Sequence, residues 1–230
     1  MNAGVNNKNF FMDKILVESR REFYLFFCVF FVLLASKGSV LLPGLSIDDY
    51  SYALGGYESY GLMFSQGRYL QAALVWLIEL ANVNANDVYV FFGWVALVLQ
   101  AVFILSILRL VVWKSSLVAG LAGGLIAAHP YLSEIFTFRM ALSVYSLALL
   151  FSIMVMEFIR SGVHDGVRPR EIGLALLSML GVVLTYQVFV NYFLVLALFC
   201  FMSGVVCNVS EGRRVFAWSY FLGFVRLSCL

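Results

Sequence analysis

Residues 87–112 read DVYVFFGWVALVLQAVFILSILRLVV, and this run decides the fold class. Only Asp87 and Arg109 are charged within it, and it exceeds the roughly 20 residues that a helix needs to cross a bilayer. The whole chain is similar, since 63% of its 230 residues are hydrophobic, 12% are charged and the mean hydropathy is +0.94. So little polar surface cannot enclose a soluble core. The sequence therefore predicts an all-α, polytopic membrane protein.

Six apolar stretches are predicted to be membrane helices. They cover about residues 22–43, 87–112, 115–128, 140–159, 171–187 and 189–207. A last apolar run begins at residue 215 and is interrupted by Arg226, which makes it marginal as a complete crossing. We therefore expect six or seven transmembrane helices in a single membrane domain, 1–230. We also expect this domain to be the N-terminal part of a longer fold.

The basic residues indicate how the chain is oriented in the membrane. Eleven of them lie at alternate ends of the predicted spans, which places all eleven on one side of the membrane. This side is predicted to be cytoplasmic and to hold the N-terminus. The eleven are Lys8, Lys14, Arg20, Arg21, Arg109, Lys114, Arg160, Arg168, Arg170, Arg213 and Arg214. The net charge of +2 is too balanced to indicate a nucleic-acid partner. The opposite side then holds a large first external loop, about residues 44–86.

Two motifs in this external loop carry the candidate chemistry. Asp48 and Asp49 are adjacent carboxylates, and their mutual repulsion is tolerated more often where a cation or a proton transfer uses it. Ser46 gives the pair the spacing of a capping box, so one aspartate could instead begin a helix. Gly67-Arg68 opens the apolar run 69–80, which is too short to span and is predicted to be a re-entrant or surface helix. Arg68 at its start favours an external anion such as phosphate.

Further polar residues are predicted to lie on the same external side. Glu134 and Arg139 belong to HPYLSEIFTFR, 129–139, and they either bind substrate or pair with each other. Tyr186-Gln187 either binds substrate or holds a tight turn between two spans. His129, beside a proline, is expected to end a helix rather than to act in catalysis. On the cytoplasmic side, Glu157 is expected only to meet water.

The order of these motifs resembles the Gtr type II glucosyltransferases of the GT-C superfamily, bacterial inner-membrane enzymes that modify O-antigen. The matching elements are Asp48-Asp49, Gly67-Arg68, the segment 129–139 and Tyr186-Gln187. The resemblance covers nearly the whole chain, but only the N-terminal part of such a protein. It implies a GT-C-like fold with a periplasmic active site.

The resemblance also implies a reaction, in which a glucosyl group passes from a polyprenyl-phosphate sugar to O-antigen or another lipopolysaccharide glycan. Asp48 or Asp49 would be the general base, and its neighbour would bind a divalent cation or orient the acceptor. Arg68 and Arg139, and more weakly Lys37, would stabilise the leaving phosphate. A flippase and a donor synthase are implied as partners. No nucleotide-sugar site is needed, which agrees with the lack of a P-loop or dinucleotide motif.

Two rival readings remain open from the residues alone. A transporter or a flippase for lipid-linked sugars would use ionisable residues near mid-membrane. Here only Lys37 and Arg226 fall inside apolar runs, while the other charges gather at span ends. The second rival is a non-catalytic, truncated relative or accessory subunit. A transfer assay distinguishes the enzyme from both.

Overall fold

The structure is a computed structural model. It describes residues 5–42, 64–81, 88–109, 115–130, 136, 141–165, 169–186 and 189–193. Within these ranges the chain is helical and contains no strand, which confirms the predicted all-α class there. The α-helices are α1 Val5–Lys37, α2 Tyr69–Leu80, α3 Tyr89–Arg109, α4 Ser116–Ala128, α5 Leu142–Asp165 and α6 Pro169–Thr185. A 3-10 turn, Gly38–Leu41, prolongs α1.

Two segments of the described chain are long and apolar enough to cross a membrane, judged by length and composition. They are Ser19–Leu41 and Tyr89–Arg109, at the first and second predicted spans. Ser116–Ala128 and Leu142–Phe158 are apolar but shorter. With 13 residues, α4 extends for only about 20 Å, less than a hydrocarbon core of about 30 Å. The described residues thus hold two candidate membrane helices, and the total of six or seven stays a prediction.

The first helix begins well before the first predicted span. Helix α1 starts at Val5, whereas hydropathy placed the start of the span at residue 22. Residues 5–21 contain no proline or glycine to break a helix, so the polar N-terminal stretch continues the same helix. Hydropathy therefore marks the apolar part of α1 and not its true start.

One hydrophobic core joins five of the helices. Helix α5 packs against α6 and α3, and α1 packs against α4 and α3. Apolar side chains from facing helices meet in this core and lose nearly all contact with solvent. Its fully buried members include Val29, Leu33, Leu97, Ile104, Tyr145, Leu149 and Val182.

Glycines allow three of the helix pairs to approach closely. A Cβ atom on Gly123 of α4 would lie 2.7 Å from Val29 Cγ2 of α1 and 3.0 Å from Leu108 Cδ1 of α3. A Cβ atom on Gly181 of α6 would lie 2.9 Å from the Phe151 ring of α5. Small residues at such crossings let backbones pack tightly, as is common between apolar helices.

The helices alternate in direction, so the bundle has two distinct ends. At one, Arg109 at the end of α3 contacts Glu22 of α1 and Glu157 of α5. We call this the Arg109 end. At the other, Lys37 at the end of α1 contacts His129, which follows α4. We call this the Lys37 end.

Helix α5 begins at the Lys37 end. A Cβ atom on Gly93 in the first turns of α3 would lie 2.9 Å from Leu41 Cδ2 and 3.9 Å from Leu142 Cδ1. Leu142 is the first residue of α5. At these helices, the span ends predicted to be cytoplasmic therefore lie at the Arg109 end, and those predicted to be external lie at the Lys37 end. The orientation of the bundle in a membrane stays a prediction.

Candidate functional site

Helix α2 begins at the predicted Gly67-Arg68 pair. Gly67 has a φ of 73°, a left-handed conformation that glycine adopts without steric cost. Its N–H donates to Phe64 O at 3.0 Å, and Ala72 N donates to Arg68 O at 3.0 Å. Arg68 is therefore the N-cap of α2. The helix covers Tyr69–Leu80, which confirms the predicted run 69–80, while its re-entrant or surface location stays a prediction.

The side chain of Arg68 lies on Tyr186. Arg68 Cζ is 5.4 Å from the centroid of the Tyr186 ring, within the range of a cation–π contact. Tyr186 directly follows α6, and its N–H donates to Val182 O at 2.8 Å. Two residues predicted to bind substrate are thus brought together. The contact joins the start of α2 to the end of α6.

This pair lies at the Lys37 end of the bundle. The ring centroids of Tyr186 and Phe189 are 6.3 Å apart, and those of Phe189 and Tyr145 are 5.3 Å apart. Tyr145 is in the first turns of α5, which begins at that end. Arg68 is half-buried there, so it holds a positive charge at the rim of the bundle.

Lys37, another predicted phosphate ligand, connects two helix ends. Its side chain is 3% exposed, and its Nζ donates to His129 O at 3.1 Å. His129 N donates to Ile126 O at 3.2 Å, so His129 ends α4 as expected. The last carbonyls of a helix lack helical partners and attract cations. The described contact of Lys37 is therefore with the end of α4.

Five predicted site residues lie outside the described residues. They are Asp48, Asp49, Glu134, Arg139 and Gln187. Their catalytic, substrate-binding and metal-binding roles therefore stay predictions, including the divalent cation. In the described ranges, no group of three or more His, Cys, Asp or Glu side chains is arranged to hold a metal ion.

Sequence reasoning missed an ion pair at the Arg109 end. Arg109 donates from Nε to Glu22 Oε1 at 2.9 Å and from Nη2 to Glu22 Oε2 at 2.7 Å. Its Nη1 donates to Glu157 Oε1 at 3.3 Å, and Ser106 Oγ donates to the same oxygen at 3.2 Å. The expectation that Glu157 only meets water is therefore wrong, because this carboxylate binds α3. The signal for it is that Arg109, Glu22 and Glu157 all lie at the same predicted end of their spans and carry opposite charges.

Sequence reasoning also missed two buried glutamines. Gln100 of α3 is 2% exposed and accepts a hydrogen bond from the Tyr145 hydroxyl. Gln71 of α2 is 5% exposed. The sequence does hold one indication of Gln71, because it follows Arg68 by three positions and so lies on the same face of the helix.

A comparison with known protein families matches residues 39–227 to the family described as glucosyl transferase GtrII. The chain belongs to the GtrII glucosyltransferase family. This confirms the family expected from the motifs and supports a glycosyltransferase that uses a sugar donor and a glycan acceptor. No curated protein and no solved structure gives a significant match.

In this GtrII family member, the matched segment includes both partners of the Arg68–Tyr186 contact. A guanidinium supplies several N–H donors in a fixed plane, which suits phosphate oxygens. An aromatic ring can support the guanidinium from below and leave its N–H edge available to a ligand. The arrangement is therefore chemically suited to hold an anionic group beside the start of α2.

Proposed function

We propose that this chain is a membrane-embedded GT-C-type glucosyltransferase. It transfers a glucosyl group from a polyprenyl-phosphate sugar to O-antigen or a related lipopolysaccharide glycan. The family match supports the glucosyl chemistry. The apolar composition and the two candidate membrane helices support a lipid-borne donor, whose sugar phosphate lies at headgroup depth.

The observation that carries the proposal is the placement of Arg68. It combines a cation with the N-terminal end of a helix, whose free N–H groups also favour anions. Negative charge grows on the phosphate as the sugar leaves, so a cation held there stabilises the transition state. Arg139 is the second proposed ligand of this phosphate, and Lys37 is a weaker one. Tyr186 orients Arg68.

The proposed step is a single displacement at the anomeric carbon. The acceptor hydroxyl oxygen bonds to this carbon while the bond from the carbon to the phosphate oxygen breaks. The electron pair of that bond leaves with polyprenyl phosphate, and the hydroxyl proton passes to the carboxylate of Asp48 or Asp49. The other aspartate orients the acceptor, with Glu134 and Gln187 as further substrate ligands. General-base catalysis of this kind contributes roughly 10²–10⁴ in rate.

The proposed location is the bacterial inner membrane, with the N-terminus cytoplasmic and the Lys37 end periplasmic. The alternating positions of the basic residues support this orientation. A flippase that delivers the donor to that side and an enzyme that makes it are the proposed partners. The large first external loop, about 44–86, carries the site within a single membrane domain.

The test is transfer of radiolabelled glucose by the full chain in proteoliposomes that contain lipopolysaccharide. Polyprenyl-phosphate glucose is expected to act as donor, whereas nucleotide-linked glucose is expected to give no product. Asp48→Asn and Asp49→Asn are measured beside the unaltered chain, and loss in one of them identifies the base. A folded, inserted chain that transfers nothing from the lipid-linked donor contradicts the proposal and favours a transporter or a non-catalytic relative.

A further inference from the structure

Two buried side-chain oxygens, one in the first turn of α2 and one in the first turn of α5, have no hydrogen-bond partner among the described residues. Gln71 and Ser143 are each 5% exposed. In the part of the chain that the structure describes, neither Gln71 Oε1 nor Ser143 Oγ is hydrogen-bonded. Gln100 differs, because its amide oxygen accepts from the Tyr145 hydroxyl. Unpartnered buried groups of this kind are uncommon in folded proteins and oppose folding.

Gln71 faces the bundle on the same side of α2 as Arg68. Positions 68, 71, 72 and 75 follow helical spacing and form one face. Ala72 and Val75 on this face pack against Val144 of α5. Trp76, Leu77 and Leu80, farther along the helix, are exposed. Gln71 therefore lies next to the contact between α2 and α5, one helical turn from Arg68.

Ser143 belongs to α5, the other helix of this contact. It directly precedes Val144 in the first turn of α5. The next serine along the same helix, Ser146, is different because its Oγ donates to Leu142 O at 2.7 Å. On each of the two helices, a polar group without a partner among the described residues is thus next in the sequence to a residue of this contact.

The chemistry of these two groups selects their ligand. The Gln71 side chain carries an oxygen that accepts hydrogen bonds beside an NH₂ group that donates them, so it suits a ligand that does both. A serine hydroxyl both donates and accepts. A sugar ring presents hydroxyl groups that do the same. The pair therefore complements a sugar, whereas Arg68 complements a phosphate.

We propose that Gln71, together with Ser143, binds hydroxyl groups of the glucosyl unit of the donor, while Arg68 binds its phosphate. This inference rests on the proposed function and assigns the sugar-binding part of the same site. The two parts of the donor then meet successive turns of one face of α2.

Binding requires the first turn of α2 to move away from α5, because Gln71 Oε1 is shielded from solvent in this structure. The apolar contact between α2 and α5 is small, although α2 also packs against α6. It consists of Ala72, Val75 and Val144 with Leu74 beside them, and it is separate from the main core. Contacts that bury little apolar surface open most readily, so the boundary between α2 and α5 is suited to admit a ligand while α2 keeps its contact with α6.

The test compares two lipids in thermal unfolding and binding measurements on the full chain in nanodiscs. The probes are polyprenyl-phosphate glucose and polyprenyl phosphate without sugar. The unaltered chain is expected to bind the glucose-bearing lipid more tightly and to gain more thermal protection from it. Gln71→Leu is expected to lose about tenfold in affinity for this lipid, a change of about 1.4 kcal/mol, and to keep its affinity for the bare lipid. Ser143→Ala is expected to show a smaller loss of the same kind.

The unfolding temperature without ligand separates a binding role from a structural one. Gln71→Leu removes an unpartnered polar group, so this temperature is expected to stay unchanged or rise. Gln100→Leu is the matched control, and it is expected to unfold at a lower temperature because it breaks the bond with Tyr145. Destabilisation of Gln71→Leu as large as that of Gln100→Leu, or an unchanged preference for the glucose-bearing lipid, overturns the inference.

The failure of this inference is distinguishable from failure of the proposed function. An unaltered chain that binds both lipids equally, yet transfers glucose, overturns the role of Gln71 alone. A chain that prefers the glucose-bearing lipid through Gln71, yet transfers nothing, supports the inference and contradicts the enzyme. Arg68→Ala is expected to weaken binding of both lipids, because both carry the phosphate.

Discussion

The guanidinium of Arg68 lies 5.4 Å from the centre of the Tyr186 ring, so the residue before α2 rests on the residue after α6. These positions are far apart in the sequence, and their contact joins the start of α2 to the end of α6. The geometry gives the cation a defined position at the Lys37 end. Without the ring, the flexible stem of the arginine would sample many rotamers.

Replacing Tyr186 tests this contact. Tyr186→Phe keeps the aromatic ring, so we expect stability and glucosyl transfer close to those of the unaltered chain. Tyr186→Leu removes the ring and is expected to lower the free energy of unfolding by about 1 kcal/mol, within the range of cation–π contacts. Chemical unfolding in detergent micelles measures the difference. Equal effects of Phe and Leu would show that the ring does not hold Arg68.

The close approach of α1 and α4 predicts opposite results for neighbouring glycines. Gly123→Ala places a Cβ 2.7 Å from Val29 Cγ2, and overpacking of this kind costs about 1–3 kcal/mol of stability. Gly124→Ala meets its nearest side chain, Val32, at 3.8 Å, so the alanine is expected to be neutral or to stabilise the helix by up to about 1 kcal/mol. Thermal unfolding of both variants measures this contrast. A Gly123→Ala variant as stable as Gly124→Ala contradicts the helix crossing.

The buried bond between Tyr145 and Gln100 predicts a non-additive pair of substitutions. Tyr145→Phe leaves the Gln100 amide oxygen buried without this donor, which is expected to cost about 1–3 kcal/mol. The double variant Tyr145→Phe, Gln100→Leu removes both partners and is expected to be more stable than the single one. A double-mutant cycle in chemical unfolding measures the coupling. Simple additivity of the two substitutions argues against the bond.

The ion pair at the Arg109 end predicts a structural effect far from the candidate site. Arg109 and Glu22 side chains are 26% and 31% exposed, so water weakens their attraction but does not remove it. We expect Arg109→Gln to lower the free energy of unfolding by about 1–2 kcal/mol, between the values for exposed and buried pairs. Raising the salt concentration should reduce this difference. Loss of transfer without loss of stability in Arg109→Gln would instead indicate a direct role in the reaction.

The start and end of α2 were predictable from local sequence, whereas its neighbours were not. Gly67 supplies the left-handed turn, and the apolar run after Arg68 has a helical pattern, so the bounds of 69–80 followed directly. The contact of Arg68 with Tyr186 depends on how α2 and α6 pack, which no local pattern encodes. The sequence suggested both residues as site candidates for separate reasons.

Buried polar residues were the main class that sequence reasoning missed. Gln71 and Gln100 have the same side chain inside apolar runs, and only the packing shows that, among the described residues, the amide oxygen of Gln100 accepts a hydrogen bond whereas that of Gln71 does not. Glu157 was misjudged because its partner Arg109 lies on another helix. Hydropathy also missed the beginning of α1, since it detects apolar character and not helix continuity.

The proposed reaction is the transfer of glucose from a lipid-linked donor at the site beside the start of α2. Its most direct test is the initial rate of transfer from polyprenyl-phosphate glucose to lipopolysaccharide by Arg68→Ala in proteoliposomes. The matched control is Arg170→Ala, an exposed arginine in the first turn of α6, at the opposite end of that helix from Tyr186. We predict that Arg68→Ala lowers the rate at least about 100-fold, as expected for loss of a group that stabilises developing charge, while Arg170→Ala transfers normally. Equal rates in the two folded variants would show that Arg68 takes no part in the transfer.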